Sequence, residues 1–411
     1  MLPSALPKLP PRFDGEHVDI SSVDLSLPGS RVIVRKRLRQ ARWGTAAFFF
    51  TLGIALGSWV ARIPAVQNRL ALDDAELGFS LLSLSVGAML AMPSTGWLIF
   101  RWGNRRVMQA AATLLCVVLP LLPLAPTMLV FIIALFGFGI GFGLLDVSMN
   151  VQAVAVEDRH GLPIMSSFHG VFSVGGLSGS ASAGAIAGFG IPPVPHLLVI
   201  ASILVILVTV ASRFLLDTAA RKQDAPVFAL PPRSLLGLGL LSFCVLLSEG
   251  AVADWSAVYL ENVLGSSAAI AAAGYAAFSL AMAAMRFGGD ALALNLGPGR
   301  LVGIGGLLAG LGLGGALLIG TIPAAVVGFA CMGAGLAASF PIALGAAGRT
   351  PGMAPGSAIG AVATMGYTGF LIGPALLGLI AENTGLRTSL MLVAGLALAS
   401  ALLAGTVHRP S

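Results

Sequence analysis

Met128 to Gln152 reads M-L-V-F-I-I-A-L-F-G-F-G-I-G-F-G-L-L-D-V-S-M-N-V-Q, and no charge interrupts it before Asp146. At 1.5 Å per residue such a helix is about 37 Å long, more than the roughly 30 Å hydrocarbon core of a bilayer. Working outward, eleven further apolar runs of similar length lie near 43–62, 77–99, 107–125, 166–190, 196–216, 235–259, 268–291, 301–320, 322–346, 356–380 and 387–407, with this one covering 128–155. The whole chain is 57% apolar and 10% charged, against about 25% charged in a soluble domain. Such a composition cannot cover a water-facing surface, so the expected fold is an all-α membrane protein of twelve transmembrane helices.

The net charge of +6 reports membrane orientation rather than nucleic-acid binding, because the basic residues sit in short loops. With the N-terminus inside, only Arg62, Arg69 and Arg387 fall near the outside, and Arg286 lies within a span. The other 19 of the 23 Lys and Arg then face the cytoplasm. This predicts a multi-pass inner-membrane protein with both termini cytoplasmic. Residues 1–42 are expected to be a disordered cytoplasmic tail whose basic run Arg31–Arg42 anchors it to the membrane surface. No cleavable signal peptide is visible there, and a later translation start is the alternative. Cys116, Cys244 and Cys331 lie in apolar runs without metal-ligand spacing, so they are expected to pack as free thiols, with no metal and no cofactor.

The halves repeat. Trp59 and Gly78 recur as Trp255 and Gly274, Gly103 and Arg106 as Gly297 and Arg300, Gly139 and Gly141 as Gly333 and Gly335, and Phe172 and Gly175 as Phe370 and Gly373. The expected organisation is two pseudo-symmetric six-helix bundles, 43–216 and 235–407, joined by a polar linker at 217–234 and followed by a short tail at 408–411. Parallel six-span halves are a transporter architecture.

After the second run stands G-W-L-I-F-R-W-G-N-R-R, Gly96 to Arg106. It resembles the loop 2–3 signature of the major facilitator superfamily, G-x-x-x-D-R-x-G-R-R, with Phe100 in place of the Asp. That departure puts the family's helix-capping charge relay in question in this half. The resemblance implies the major facilitator fold, and gating roles for Gly96, Arg101, Gly103, Arg105 and Arg106. A weaker second copy runs from Arg286 through Asp290 to Gly297 and Arg300. The segments L-L-D-V-S-M-N-V-Q (Leu144 to Gln152) and S-S-F-H-G-V-F-S-V-G-G (Ser166 to Gly176) look like the paired L-E-T-A-A-N-P and A-Q-x-F-N-x-x-G segments of the fucose permease branch. That likeness places Asp146 on the branch's membrane-embedded acid, Asn150 on its Asn and His169 on its sugar-contacting Asn. The change of Asn to His means that sugar specificity does not carry over.

Charges inside a bilayer are costly and mark function by default. Asp146 shares a helical stripe with Gly139, Gly143 and Asn150, and it is either a proton-coupling group or one end of an interhelical hydrogen bond. His169 is a partner for Asp146, a substrate ligand or a packing residue. Glu249, near the middle of the seventh run, is the second proton candidate, and Asp254 beside Trp255 reads as interfacial. Arg62 is either a snorkelling residue or the cationic partner of Glu249 or Asp254, a latch between the first and seventh helices. Thr364 and Tyr367 are further cavity candidates. Gly176 to Gly179 has the Gly-x-Ser-Gly form of intramembrane proteases but no base in reach, so no enzyme is expected. Gly373-Pro374 resembles an antiporter Gly-Pro motif but falls in the wrong span. The expected function is proton-coupled symport of a small polar organic solute by a monomer in the lipid bilayer. The alternative is proton-driven efflux of amphipathic compounds.

Overall fold

A computed structural model describes residues 30–217 and 232–408, and within them the chain is helical throughout, with short connections. The first half comprises α1 (Ser30–Val60), a short α2 (Ile63–Leu70), α3 (Asp74–Trp102), α4 (Asn104–Val118), α5 (Met128–His160), α6 (Met165–Gly188) and α7 (Pro193–Ser212). The second half comprises α8 (Leu236–Val258), α9 (Ala268–Leu296), α10 (Pro298–Ile319), α11 (Ile322–Leu336), α12 (Ser339–Gly348), α13 (Pro355–Thr384) and α14 (Leu386–Leu402). A 3-10 turn at Leu119–Leu124 prolongs α4, and a π turn at Tyr259–Val263 prolongs α8. The short α2 aside, and with α11 and α12 counted as one unit, twelve membrane-length units alternate in direction. Both described ends therefore fall on one face, called here the terminal face, opposite the far face.

Among the described residues, eleven helical segments are long and apolar enough to cross a membrane. The twelfth expected span, α6, has 24 residues but is rich in Ser and Gly, which lowers its apolarity rather than its length. It is packed between α1 and α9, and the glycines at these crossings face protein. Gly175 and Gly179 meet the α1 backbone at Phe50 and Ile54, and Gly176 meets Tyr275 and Ser279 of α9.

The repeat read from the sequence reappears as repeated contacts. A Cβ on Gly139 would fall against the Leu84 carbonyl oxygen, and one on Gly333 against that of Phe278, the same pair moved by 194 residues. Gly141 meets Leu115, and Gly335 meets Ala309, again 194 apart. The two loop glycines match in backbone geometry as well. Gly103 has φ 81° and ψ 147°, and Gly297 has φ 79° and ψ 149°. That region is open to glycine and closed to residues with a Cβ, which accounts for a glycine at both turns.

Three boundaries correct the sequence reading. The basic segment is not a disordered tail from residue 30 on, because α1 begins at Ser30; residues 1–29 lie outside the described residues. Arg, Lys, Leu and Gln favour helix, and no Gly or Pro stands between Ser30 and Gly44 to stop it. α3 starts at Asp74, where Asp73 and Glu76 form a reciprocal capping box whose charges hide the start from a hydropathy reading. The tenth run is broken into α11 and α12 at Ala337 and Ala338. Pro341 explains the break: it offers no N–H to the Ala337 carbonyl and its ring clashes there. The linker read at 217–234 falls mostly on 218–231, outside the described residues.

The halves meet along two pairs of helices, α3 with α13 and α6 with α9. At the far face Asn262 Nδ2 donates to Gln67 Oε1 at 3.0 Å, and the Asp74 N–H donates to Glu382 Oε2 at 3.3 Å. Gly78 of α3 lies against Pro374 and Gly378 of α13, and Gly184 of α6 against Ala269 and Ala272 of α9. Nearer mid-helix, Ser180 Oγ donates to the Ala272 carbonyl at 2.7 Å, and Ser85 Oγ to the Phe370 carbonyl at 3.3 Å. Polar bonds and glycine contacts thus join the halves from the far face inward.

Candidate functional site

Asp146 lies fourteen residues from the terminal-face end of α5, about 21 Å by helical rise. One turn on, Asn150 Nδ2 donates to the Asp146 carbonyl at 2.8 Å and to its Oδ1 at 3.3 Å. Both side chains are half-buried. Gly143, on their stripe, stands against Ala88 of α3, so the small residues admit a neighbouring helix. The adjoining face of α5 is fixed by Asn104, buried at the start of α4, whose Nδ2 donates to the Ser148 carbonyl at 3.2 Å and to Gln152 Oε1 at 3.1 Å. Across the interface between the halves, Tyr367 of α13 lies within reach of the Asp146 charge. The Tyr367 ring stands edge-on to Phe340 of α12, centroids 6.4 Å apart. Thr364, one turn before Tyr367, bonds the Gly360 carbonyl through Oγ1 at 2.8 Å.

A second group surrounds Arg286 of α9. Its Nη2 lies 3.8 Å from Glu249 Oε2 of α8, with side chains 13% and 19% exposed. Its Nη1 crosses to the first half, donating to Ser173 Oγ at 2.9 Å and to the His169 carbonyl at 3.4 Å. Arg286 therefore ties α8, α9 and α6 together at one point. Beside this group Tyr275 and Ser279 of α9 stand against Gly176 of α6, and Tyr275 lies within reach of the charges of Glu249, Arg286 and Asp254. Arg286 lies within a span, as the sequence places it, and apart from the loop at Gly297 that ends the second signature copy. It sits about 16 Å back along α9 from Gly297, inside the bundle. The Asp290 side chain lies outside the described residues.

His169 does not join Asp146. It lies only about 6 Å by rise from the terminal-face end of α6, well below Asp146. Its ring packs edge-on against Phe49 of α1, centroids 5.4 Å apart, and its backbone carbonyl is what meets Arg286. Asp254 is not interfacial either. Its neighbour Trp255 is fully buried, and Asp254 acts on the interior Tyr275.

The latch between Arg62 and Glu249 or Asp254 is also corrected. Arg62 precedes α2, is 3% exposed and so does not snorkel, and the acid whose charge reaches it is Glu261, in the π turn that prolongs α8, with no ion pair within 4 Å among the described residues. Glu249 is held by Arg286 instead. At the other signature loop, Arg101 and Arg106 are exposed, Arg105 and Gly96 half-buried, and Phe100 is 77% exposed. The buried anchor of that loop is Asn104.

The reading of the sequence missed Tyr275, Glu261 and the bond between Gln67 and Asn262. A signal for Tyr275 was present. The chain holds only three tyrosines, and one inside an apolar run needs a polar partner. Among the described residues no group of His, Cys, Asp and Glu could hold a metal ion.

A helical bundle in two like halves, with ionisable side chains held between them, is the construction of a membrane transporter. Residues 6–161 and 43–349 match the profile of the Major Facilitator Superfamily, and the chain belongs to that superfamily. It is similar to an uncharacterized MFS-type transporter of Yersinia pestis, 38% identical over 365 residues, 89% of this chain and 95% of the relative. It is also similar to the membrane protein MosC of Rhizobium meliloti, 34% identical over 345 residues, 84% of each chain. Among solved structures, a mutant of the nucleoside transporter NupG superposes with a TM-score of 0.71 at 14% identity, covering 90% of this chain and all of that one. A bacterial homologue of the lysosomal transporter Spinster, inward-facing and unoccupied, superposes with 0.72 at 14% identity, covering 91% of this chain and 99% of that one. At such identities these likenesses speak for the fold alone.

Proposed function

We propose that the protein is a proton-coupled symporter of a small polar organic solute, working by alternating access in the inner membrane with both termini in the cytoplasm. The observation that carries the proposal is Asp146, a half-buried carboxylate at mid-helix in α5. Among the described residues no cation pairs with it. Such a group is costly in a bilayer unless it is used, and a proton is the smallest neutralising partner. Asp254 is the second carboxylate without a cation. Glu249, by contrast, is committed to Arg286 and serves better as a fixed part of the site. The likeness of Asp146 and Asn150 to the acid and Asn of the fucose permease branch supports this reading, as does the excess of Lys and Arg in the loops of the terminal face.

Two joined halves that rock about such a site expose it to one side at a time. A carboxylate loaded with a proton and solute on one side then releases both on the other. The test is uptake by proteoliposomes from a panel of labelled solutes under an imposed pH gradient. An inside-alkaline gradient should concentrate the transported solute, and a protonophore should abolish the accumulation. Accumulation indifferent to the gradient would overturn proton coupling.

A further inference from the structure

At the far face a chain of hydrogen bonds runs from one half to the other and back. Gln67 of α2 is 5% exposed and uses both ends of its amide. Its Oε1 accepts from Asn262 Nδ2 of the second half at 3.0 Å, and its Nε2 donates to Asp74 Oδ1 of α3 at 3.1 Å. Asp74 then returns across the interface, its backbone N–H donating to Glu382 Oε2 at 3.3 Å. On the same face Ala61, at the end of α1, and Ala183 of α6 form a small apolar plug with Ala272 of α9, each at most 3% exposed.

Backbone distortions stand on both sides of the Gln67 amide. Asn262 sits in the π turn Tyr259–Val263, a local widening of the helix that recurs at functional sites. Between Gln67 and Asp74, Ala71 is the one non-glycine among the described residues with a positive φ, 52°. Its left-handed turn lets the Leu72 N–H bond the Gln67 carbonyl at 3.1 Å, and α3 then starts close enough for Asp74 to meet the Gln67 amide. A strained conformation of this kind persists only where its surroundings fix it. The two crossings between the halves are unequal. Glu382 is exposed and approaches a helix end that already carries Asp73, Asp74 and Glu76, so like charge opposes it. Gln67 and Asn262 are neutral, and their bond meets no such opposition.

We propose that Gln67 is a positioning residue for transport: its amide, clamped between Asn262 and Asp74, holds the far face shut, and breaking its bond to Asn262 is the step that opens the site to that side. The inference rests on the alternating-access reading and is independent of which solute or ion is carried. α2 packs on α8, so this short helix carries the first half's side of the lock. Asp74 holds the amide in place from within the same half, and Asn262 is the partner that leaves.

The test follows opening itself and needs no solute. Ala183→Cys places a thiol in the closed plug of the full chain, held in nanodiscs, with Cys116, Cys244 and Cys331 replaced by alanine. Its rate of labelling by a membrane-impermeant maleimide reports the population in which the far face is open. Gln67→Met and Asn262→Leu should each raise that rate about 5-fold, the worth of one net hydrogen bond in an equilibrium. The double variant should label no faster than either single one, because both remove the same bond. A merely structural loosening would multiply the two effects instead. Should Gln67→Met fail to fold, Asn262→Leu, changed at an exposed position, decides alone. Unchanged labelling in Asn262→Leu, or a double variant that opens by the product of the single effects, would overturn the lock. The expected labelling together with solute accumulation indifferent to a pH gradient would overturn the symport reading and leave the lock standing.

Discussion

Gly139→Ala and Gly333→Ala should each remove most of the folded protein from the membrane, while Gly315→Ala and Gly395→Ala should leave it unchanged or slightly stabilised. A Cβ at Gly139 collides with the Leu84 carbonyl oxygen and one at Gly333 with that of Phe278, both backbone atoms that cannot swing aside. The helices must separate instead, and every contact along the crossing is loosened. Overpacking of this kind costs about 1–3 kcal/mol and more where backbone is hit. At Gly315 and Gly395 nothing lies within 4 Å of the added methyl, and alanine is the better helix former. The comparison is read as thermal midpoint and monodisperse yield of the purified variants. Midpoints of Gly139→Ala and Gly333→Ala equal to those of the two controls would contradict the repeated close crossing.

Arg286→Met should abolish transport and destabilise the protein by about 3 kcal/mol, the lower end of the cost of stranding one member of a buried ion pair. The residual exposure of Glu249, 19%, moderates the penalty. Glu249 would be left without a cation, and the bonds from Arg286 to Ser173 and the His169 carbonyl would also be lost. Replacing both members, Arg286→Met with Glu249→Gln, should restore most of the stability and none of the transport. Arg286→Lys should not rescue transport, since an ammonium cannot span the same three acceptors in one planar fork. Thermal unfolding and uptake of the three variants would show this pattern. Wild-type stability in Arg286→Met would show that the pair at 3.8 Å does not matter to the fold.

The fold was legible because a bilayer allows few solutions. Long apolar runs must be helices, and paired glycines at a fixed offset mark the same crossings in both halves. The ends of the helices were less legible. Asp73 and Glu76 cap α3 with charges, and the basic residues of α1 carry a helix that hydropathy does not see. Nor could the sequence tell which prolines break a span. Pro93 and Pro374 sit inside continuous helices, whereas Pro341 accompanies a break.

The site residues were legible as types and not as pairs. Asp146 and His169 belong to consecutive helices, yet α5 packs on α3 and α4 while α6 packs on α1 and α9. Adjacency in sequence therefore did not bring them together. Height along the helix put Arg62 near the level of the acids on α8. It did not give the direction in which each side chain points, nor the π turn that carries Glu261 beyond Asp254. Arg286 was read within a span, but the sequence did not show that it joins Glu249, Ser173 and the His169 carbonyl at one point.

In the symport proposed above, solute and proton cross together through the space between the halves. Proteoliposomes holding a pH-sensitive dye, with no imposed gradient, test it most directly. Adding a transported solute outside should acidify the lumen at a rate that follows solute uptake, and Asp146→Asn should abolish the acidification. Solute entry at the wild-type rate with no change in luminal pH would contradict the account.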